Sequence, residues 1–293
     1  MHCTPVRRYR PCRFAGILAL LLLPLALVEP AQGIVVRHDT ADSAYVVDAA
    51  RYPQLFHLHA RLHKKICMAT LIAPEWAITA AHCLEQTPIL DTLGRDAPYA
   101  LEIAGAQYWI ADYRMHPTYQ AGPLLRGVDL ALLRLDRAVP AVRPARLNRN
   151  LDEVGKVVQL LGWGHTGSGI TGRRGNDGKF RRAENSVSAA DQWLRFRFDD
   201  PREWHSPALP LEGVPGLGDS GGPALIETDA GLLLLGVALG ELEGEDEDRN
   251  QGRYGATEIY ERVSLHVEWI DSVLQASQIS LAVPGQPAGP ARE

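Results

Sequence analysis

The feature that most constrains this chain is its series of short apolar runs separated by turn residues. Phe56, Leu58, Ala60 and Leu62 alternate with His57, His59, Arg61 and His63. A period of two marks a half-exposed strand. Further short runs lie at 70–78, 100–103, 108–110 and 130–135, then at 157–161, 185–189, 193–198, 223–226, 232–239 and 259–263. Strands this short and this evenly punctuated predict an all-β barrel or sandwich. Helical spacing appears near the end, at 265–274, where Val267, Ile270 and Leu274 share one side. No internal repeat is visible.

The chemistry-bearing stretch is 218–223, Gly-Asp-Ser-Gly-Gly-Pro. A serine hydroxyl barely ionises at neutral pH and needs a base to become a nucleophile. Ser220 between glycines is exposed enough for attack, yet a glycine-rich turn with an incidental serine is a common surface feature. Two other residues give it meaning. His82 follows an apolar run, with Ala80 and Ala81 before it and Cys83 after it. Alone, it reads equally well as a packed side chain. Asp129 opens the apolar run 130–135, where a carboxylate is costly unless hydrogen-bonded. Alone, it reads as a turn or cap residue. The order His82, Asp129, Ser220 differs from Asp-His-Ser and from the Ser-Asp-His order of α/β-hydrolases. After Ser220 only His266 remains, inside the C-terminal helical pattern, and no strand–helix alternation accompanies it.

With these residues the chain resembles the trypsin/chymotrypsin-like serine proteases. The matching stretches are 67–83, His116-Pro117-x-Tyr119, 129–135, Gly162-Trp163-Gly164, 218–223, and Tyr260-x-x-Val263 with Trp269-Ile270. They run in order over about residues 34–278. Met68-Ala69 departs from the glycines usual there, and several of the family's cystines are absent, including one that braces the substrate pocket. The resemblance implies two six-stranded antiparallel barrels, at 34–150 and 151–278, joined through 138–150, with the active site in the cleft between them and a C-terminal α-helix. It implies His82, Asp129 and Ser220 as a triad, and the amides of Gly218 and Ser220 as an oxyanion hole. It also implies that a new terminal ammonium at Ile34 pairs with Asp219. The pocket would be formed by Val214, Pro215, Ala238, Leu239, Gly240 and Glu258. Val214 stands where trypsin-like members carry an aspartate, which argues against strict cleavage after Arg or Lys. Glu258 either projects into the pocket and admits a basic or polar residue, or turns away or is paired and leaves an apolar preference. The expected activity is that of a serine endopeptidase. A silent binding protein on this fold, or a serine esterase, is the competing reading.

Residues 1–33 have the form of a secretory signal. Arg7, Arg8, Arg10 and Arg13 precede an apolar core at 14–28, and small residues follow at Ala31-Gln32-Gly33. The core is short for a membrane span, and Cys12 lies on the wrong side of it for lipidation. Removing this segment leaves 26 basic and 34 acidic residues, a net charge of −8. That balance excludes nucleic acid and stable membrane association as partners. Polypeptide substrates and protein inhibitors are the expected partners of a secreted or periplasmic monomer, with no cofactor and no metal. Cys3 and Cys12 leave with the signal, so Cys67 and Cys83 are the remaining pair and are expected to form a disulfide. The His57/His59 pair reads as a solvated strand face rather than a metal site. The Gly- and Arg-rich 166–182 reads as a surface loop, the six acidic residues within 241–248 as a solvated loop, and 279–293 as a flexible tail.

Overall fold

The computed structural model describes residues 33–59, 65–122, 127–242 and 251–282. After β1 (Ile34–Val36), six strands form one antiparallel sheet. They are β2 (Leu55–His59), β3 (Lys65–Ala73), β4 (Trp76–Thr79), β5 (Tyr99–Ile103), β6 (Ala106–Met115) and β7 (Ala131–Leu135). Their hydrogen-bonded order is β2-β3-β4-β7-β6-β5. The sheet curls until its two edges meet at a side chain. The Tyr99 hydroxyl accepts the His59 N–H at 2.6 Å and donates to the His59 carbonyl at 2.9 Å. A phenol thus bridges a seam that no backbone ladder closes among the described residues.

The second half contains β8 (Arg146–Leu147), β9 (Val157–Gly162), β10 (Thr166–Ser168), β11 (Gly172–Gly175), β12 (Arg181–Ala190) and β13 (Trp193–Arg197). It continues with β14 (Gly213–Val214), β15 (Pro223–Thr228), β16 (Gly231–Glu241) and β17 (Thr257–Arg262). The order β15-β9-β12-β13-β17-β16 closes on itself through a β15–β16 pairing, so this barrel has no free edge. Strand β8 lies parallel against β16. The two six-stranded barrels expected from the resemblance are therefore present. Closure follows from the pattern, because each barrel turns one face of its strands inward: Leu160, Phe196, Ala224 and Leu235 are fully buried in the second.

A smaller sheet, β11-β10-β1-β14, was not legible as such. The 166–182 stretch is not a plain surface loop. It supplies β10, β11 and the start of β12. Close backbone approach explains Gly167: a Cβ there would stand 1.8 Å from the Gly172 carbonyl oxygen. Two of its arginines, Arg173 and Arg181, are paired rather than solvated. Arg181 is fully buried, with Asp42 at 2.7 Å and Asp177 at 3.0 Å.

Helices are few: α1 (His82–Gln86), α2 (Ile89–Leu93) and α3 (Val267–Ala282). Helix α3 seats Ile270 in the core and extends a few residues beyond the expected boundary at 278. Among the described residues no helix is long and apolar enough to cross a membrane. Residues 1–32, expected to belong to a signal segment, the end of the alternating stretch at 60–64, the acidic run at 243–250 and residues 283–293, expected to form a tail, lie outside the described residues.

Candidate active site

Strands β4 and β7 are paired, with Thr79 opposite Ala131. Their neighbouring ends carry the base and its acceptor. Beyond Thr79, Ala80 and Ala81 lead into α1, whose first residue is His82. Asp129 sits two residues before β7. Its Oδ2 is 2.6 Å from His82 Nδ1, and its Oδ1 accepts the His82 backbone N–H at 2.8 Å. One carboxylate therefore holds both the main chain and the ring through Nδ1, and Nε2 takes no part in that contact. The Asp129 N–H in turn donates to Glu261 Oε1 at 2.8 Å. The apolar-strand carboxylate thus has the dedicated partner its position requires.

The Cys67–Cys83 disulfide is formed, with a Cα–Cα distance of 5.9 Å. Cys83 Sγ lies 3.8 Å from His82 Nε2. These three residues crowd together, but sulfurs joined in a disulfide lack the thiolate a metal takes. Replacing both cysteines by serine is expected to destabilise the protein by about 3 kcal/mol, the chain-entropy value for a loop of this size. A denaturant titration of wild type against the double variant measures it, and a change below about 1 kcal/mol overturns the assignment.

Ser220 reaches the same end of the cleft from the second barrel. Its carbonyl accepts the Met68 N–H at 2.7 Å, and the Met68 carbonyl accepts the Thr79 hydroxyl at 2.7 Å. Gly221, at φ 75°, lies so close to this corner that a Cβ would come within 2.3 Å of Thr79 Oγ1 and 3.2 Å of the Ala80 nitrogen. The turn bearing Ser220 is therefore docked against the residues that lead into His82. The histidine and aspartate are joined. Among the described residues the Ser220 hydroxyl makes no hydrogen bond, to His82 or to any other group. Around it, the amides of Asp219, Gly221 and Gly222 donate to the carbonyls of Gly216, Ala238 and Asp219. Those of Gly218 and Ser220 have no protein acceptor among the described residues.

Asp219 is fully buried. Its oxygens accept the Gly164 N–H at 2.6 Å and the Gly216 N–H at 2.9 Å, and the Ile34 amide approaches it too. Burial pushes its pKa up to about 6, against the pull of these donors. Ile34 itself has φ 58°, a left-handed conformation unusual for a β-branched residue.

Val214 is buried in a cluster with Val35 and Phe198. Pro215, Ala238 and Leu239 are also buried, and Gly240 is half-buried. Glu258 is almost wholly buried and does not stand alone. Arg173 donates to it at 2.7 Å and lies 3.0 Å from Glu241 Oε2. Burial first, and Glu241 in addition, push the Glu258 pKa up to about 8, while Arg173 pulls it down. One guanidinium faces two carboxylates, so the cluster is neutral when Glu258 holds a proton. His57 and His59 stack edge-on, with ring centroids 4.3 Å apart, and His57 also meets Trp163.

Sequence reasoning did not single out Arg173, Glu241 or Glu261 as site residues. The available signal was the pair of glutamates within the apolar strand 257–263, where charges need partners.

Two six-stranded barrels, with a histidine held by a carboxylate and a Gly-Asp-Ser-Gly-Gly turn docked beside it, define the double-barrel fold class. The trypsin family model matches residues 47–195, half of the chain, and the chain belongs to the trypsin family. It is 31% identical to human granzyme M over 175 residues, 54% of this chain and 63% of that protein. It is 27% identical to rat vitamin K-dependent protein C, over 75% of this chain and 49% of that one. With bovine coagulation factor XII it shares 30% identity over 34% of this chain and 18% of that protein. In each case the match covers less than two thirds of the relative's own length.

Proposed function

We propose that this protein is an exported serine endopeptidase that acts through His82, Asp129 and Ser220. The observation that carries the reading is the His82 Nδ1–Asp129 Oδ2 contact of 2.6 Å beside the docked Gly218–Pro223 turn. In the proposed reaction Ser220 Oγ attacks the scissile carbonyl carbon, and its proton passes to His82 Nε2. The carbonyl electrons move onto oxygen, where the unengaged amides of Gly218 and Ser220 receive the charge. Such donors contribute about 3–4 kcal/mol each at transition states of this kind. The C–N bond then breaks as His82 returns the proton to the leaving amine, and an ester to Ser220 remains. Water, deprotonated by His82, hydrolyses that ester. Asp129 holds the ring and stabilises its charged form.

The unbonded Ser220 hydroxyl is the one observation that also fits a silent binding protein. Covalent labelling by a fluorophosphonate probe separates the two readings. Labelling that depends on Ser220 and on native fold supports the hydrolase, and none overturns it. An ester-only substrate profile would assign the same chemistry to an esterase.

Polypeptides are the proposed substrates, and protein inhibitors the proposed regulators, of a secreted or periplasmic monomer. We assign the substrate pocket to Val214, Pro215, Ala238, Leu239, Gly240 and Glu258. Pairing of Glu258 with Arg173 favours a small or medium apolar residue before the scissile bond at neutral pH. The Glu258 pKa of about 8 lies above its ordinary 4.5. Its proton-bound folded form therefore contributes stability that is fully present below 4.5 and lost as pH rises through about 8. Above that pH the cluster carries one net negative charge. The ratio of kcat/KM for a Lys substrate over a Leu substrate is expected to rise several-fold between pH 7 and 9, and Glu258→Gln is expected to flatten that rise. A ratio independent of pH in the wild type overturns this reading of the pocket.

A further inference from the structure

A second buried carboxylate stands behind the proposed triad. Glu261 is only 2% exposed on β17, and its Oε1 accepts the Asp129 N–H at 2.8 Å. Its Oε2 lies 3.4 Å from His266 Nε2, just before α3. The His266 ring meets His116 edge-on with centroids 5.2 Å apart, and His116 rests against Trp269 at 4.8 Å. A continuous polar line therefore runs from His82 through Asp129 and Glu261 to His266.

The groups facing this line can be named from each neighbouring element. On the strands flanking Glu261 the cross-strand partners are Trp193 and Val237, neither of which titrates. His266 and His116 face it from the start of α3 and the end of β6. On the Asp129 side stand His82, Tyr119 and Glu85, and the Tyr119 phenol is pushed up by burial and by both carboxylates. Beyond the histidines, no cation is among these groups.

We propose that Glu261 is a positioning residue of the proposed triad, which fixes the Asp129 main chain and adds a second negative charge behind the His82 imidazole. The proposal rests on the protease reading of the site. The backbone N–H of Asp129 needs only an acceptor, and a neutral glutamine would serve. A carboxylate there does more. Placed near Asp129 in a region of low dielectric, it is destabilised unless positive charge appears nearby. His82 supplies that charge when it takes the nucleophile's proton. Removing that charge while keeping the acceptor therefore acts on the charged His82 imidazole, an effect that a merely structural role would not produce.

Glu261→Gln keeps an oxygen for the Asp129 N–H and removes the charge. The acidic limb of kcat/KM is expected to move down by about 0.5–1 pH unit. The value of kcat is expected to fall about 3- to 10-fold with KM nearly unchanged. His266→Gln removes the group facing the far oxygen and leaves the Asp129 contact intact; its midpoint is expected to move the opposite way. The same displacements are read without turnover by NMR titration of the His82 imidazole in the Ser220→Ala background. That readout stands even if the protein proves not to be a protease, so failure of the two readings is distinguishable. A His82 midpoint that is the same in wild type, Glu261→Gln and His266→Gln overturns the proposal.

Discussion

Ser220→Ala is expected to lower peptide hydrolysis by about 10⁴-fold or more and to abolish fluorophosphonate labelling, while thermal stability stays within about 0.5 kcal/mol of wild type. The two halves of that expectation come from one observation. The hydroxyl makes no hydrogen bond among the described residues, so its removal takes away no native contact. The backbone at that position remains held by the Met68 N–H at 2.7 Å. What disappears is the hydroxyl proposed as the nucleophile. Asp129→Asn is expected to cost about 10⁴-fold in kcat, because the amide would favour the wrong imidazole tautomer. Hydrolysis retained in the serine variant would end the triad assignment.

The second large effect concerns the chain start. Protein that retains any residue before Ile34 is expected to lose about 100-fold or more in kcat/KM. Asp219→Asn is expected to do the same, since breaking a buried ion pair removes about 3–5 kcal/mol. With Gly33 attached, Ile34 sits at φ 58° and its amide faces a carboxylate whose pKa is pushed up to about 6. The left-handed conformation costs about 1–2 kcal/mol for a side chain of this kind. That strain exists only while the Gly33 carbonyl is present. Cleavage at this bond removes it and leaves an ammonium beside Asp219. The pair would hold the Asp219 proton affinity down, and activity would then fall at alkaline pH as the ammonium loses its charge. N-terminal sequencing of the mature protein, with kcat/KM of forms that begin at and before Ile34, checks the expectation. Full activity in a form extended before Ile34 overturns it.

Most strands of both barrels were legible because period-two alternation and turn residues are local signals. The run at 70–78, read as one strand, is instead the end of β3, a tight turn at 74–75 and β4. The sheet of β1, β10, β11 and β14 was not legible. Its strands are two to four residues long, and the two pairings that bring in β1 span more than a hundred residues, as between Val35 and Val214. Composition misread the 166–182 stretch for the same reason. Glycine and arginine in a row look like a solvated loop until Arg181 is found between Asp42 and Asp177.

Within the candidate site, residue identity and order pointed to His82, Asp129 and Ser220, and two cysteines left after the signal pointed to one disulfide. Those readings need only the chain itself, because nucleophile, base and carboxylate are chemical types and their order is one-dimensional. Which charges neutralise one another was decided by the tertiary structure alone. Arg173 reaches Glu258 and Glu241, and Glu261 reaches Asp129, across distances in sequence that carry no periodic signal. Buried charges are tolerated only with partners at hydrogen-bonding distance, and folding rather than sequence proximity determines who those partners are.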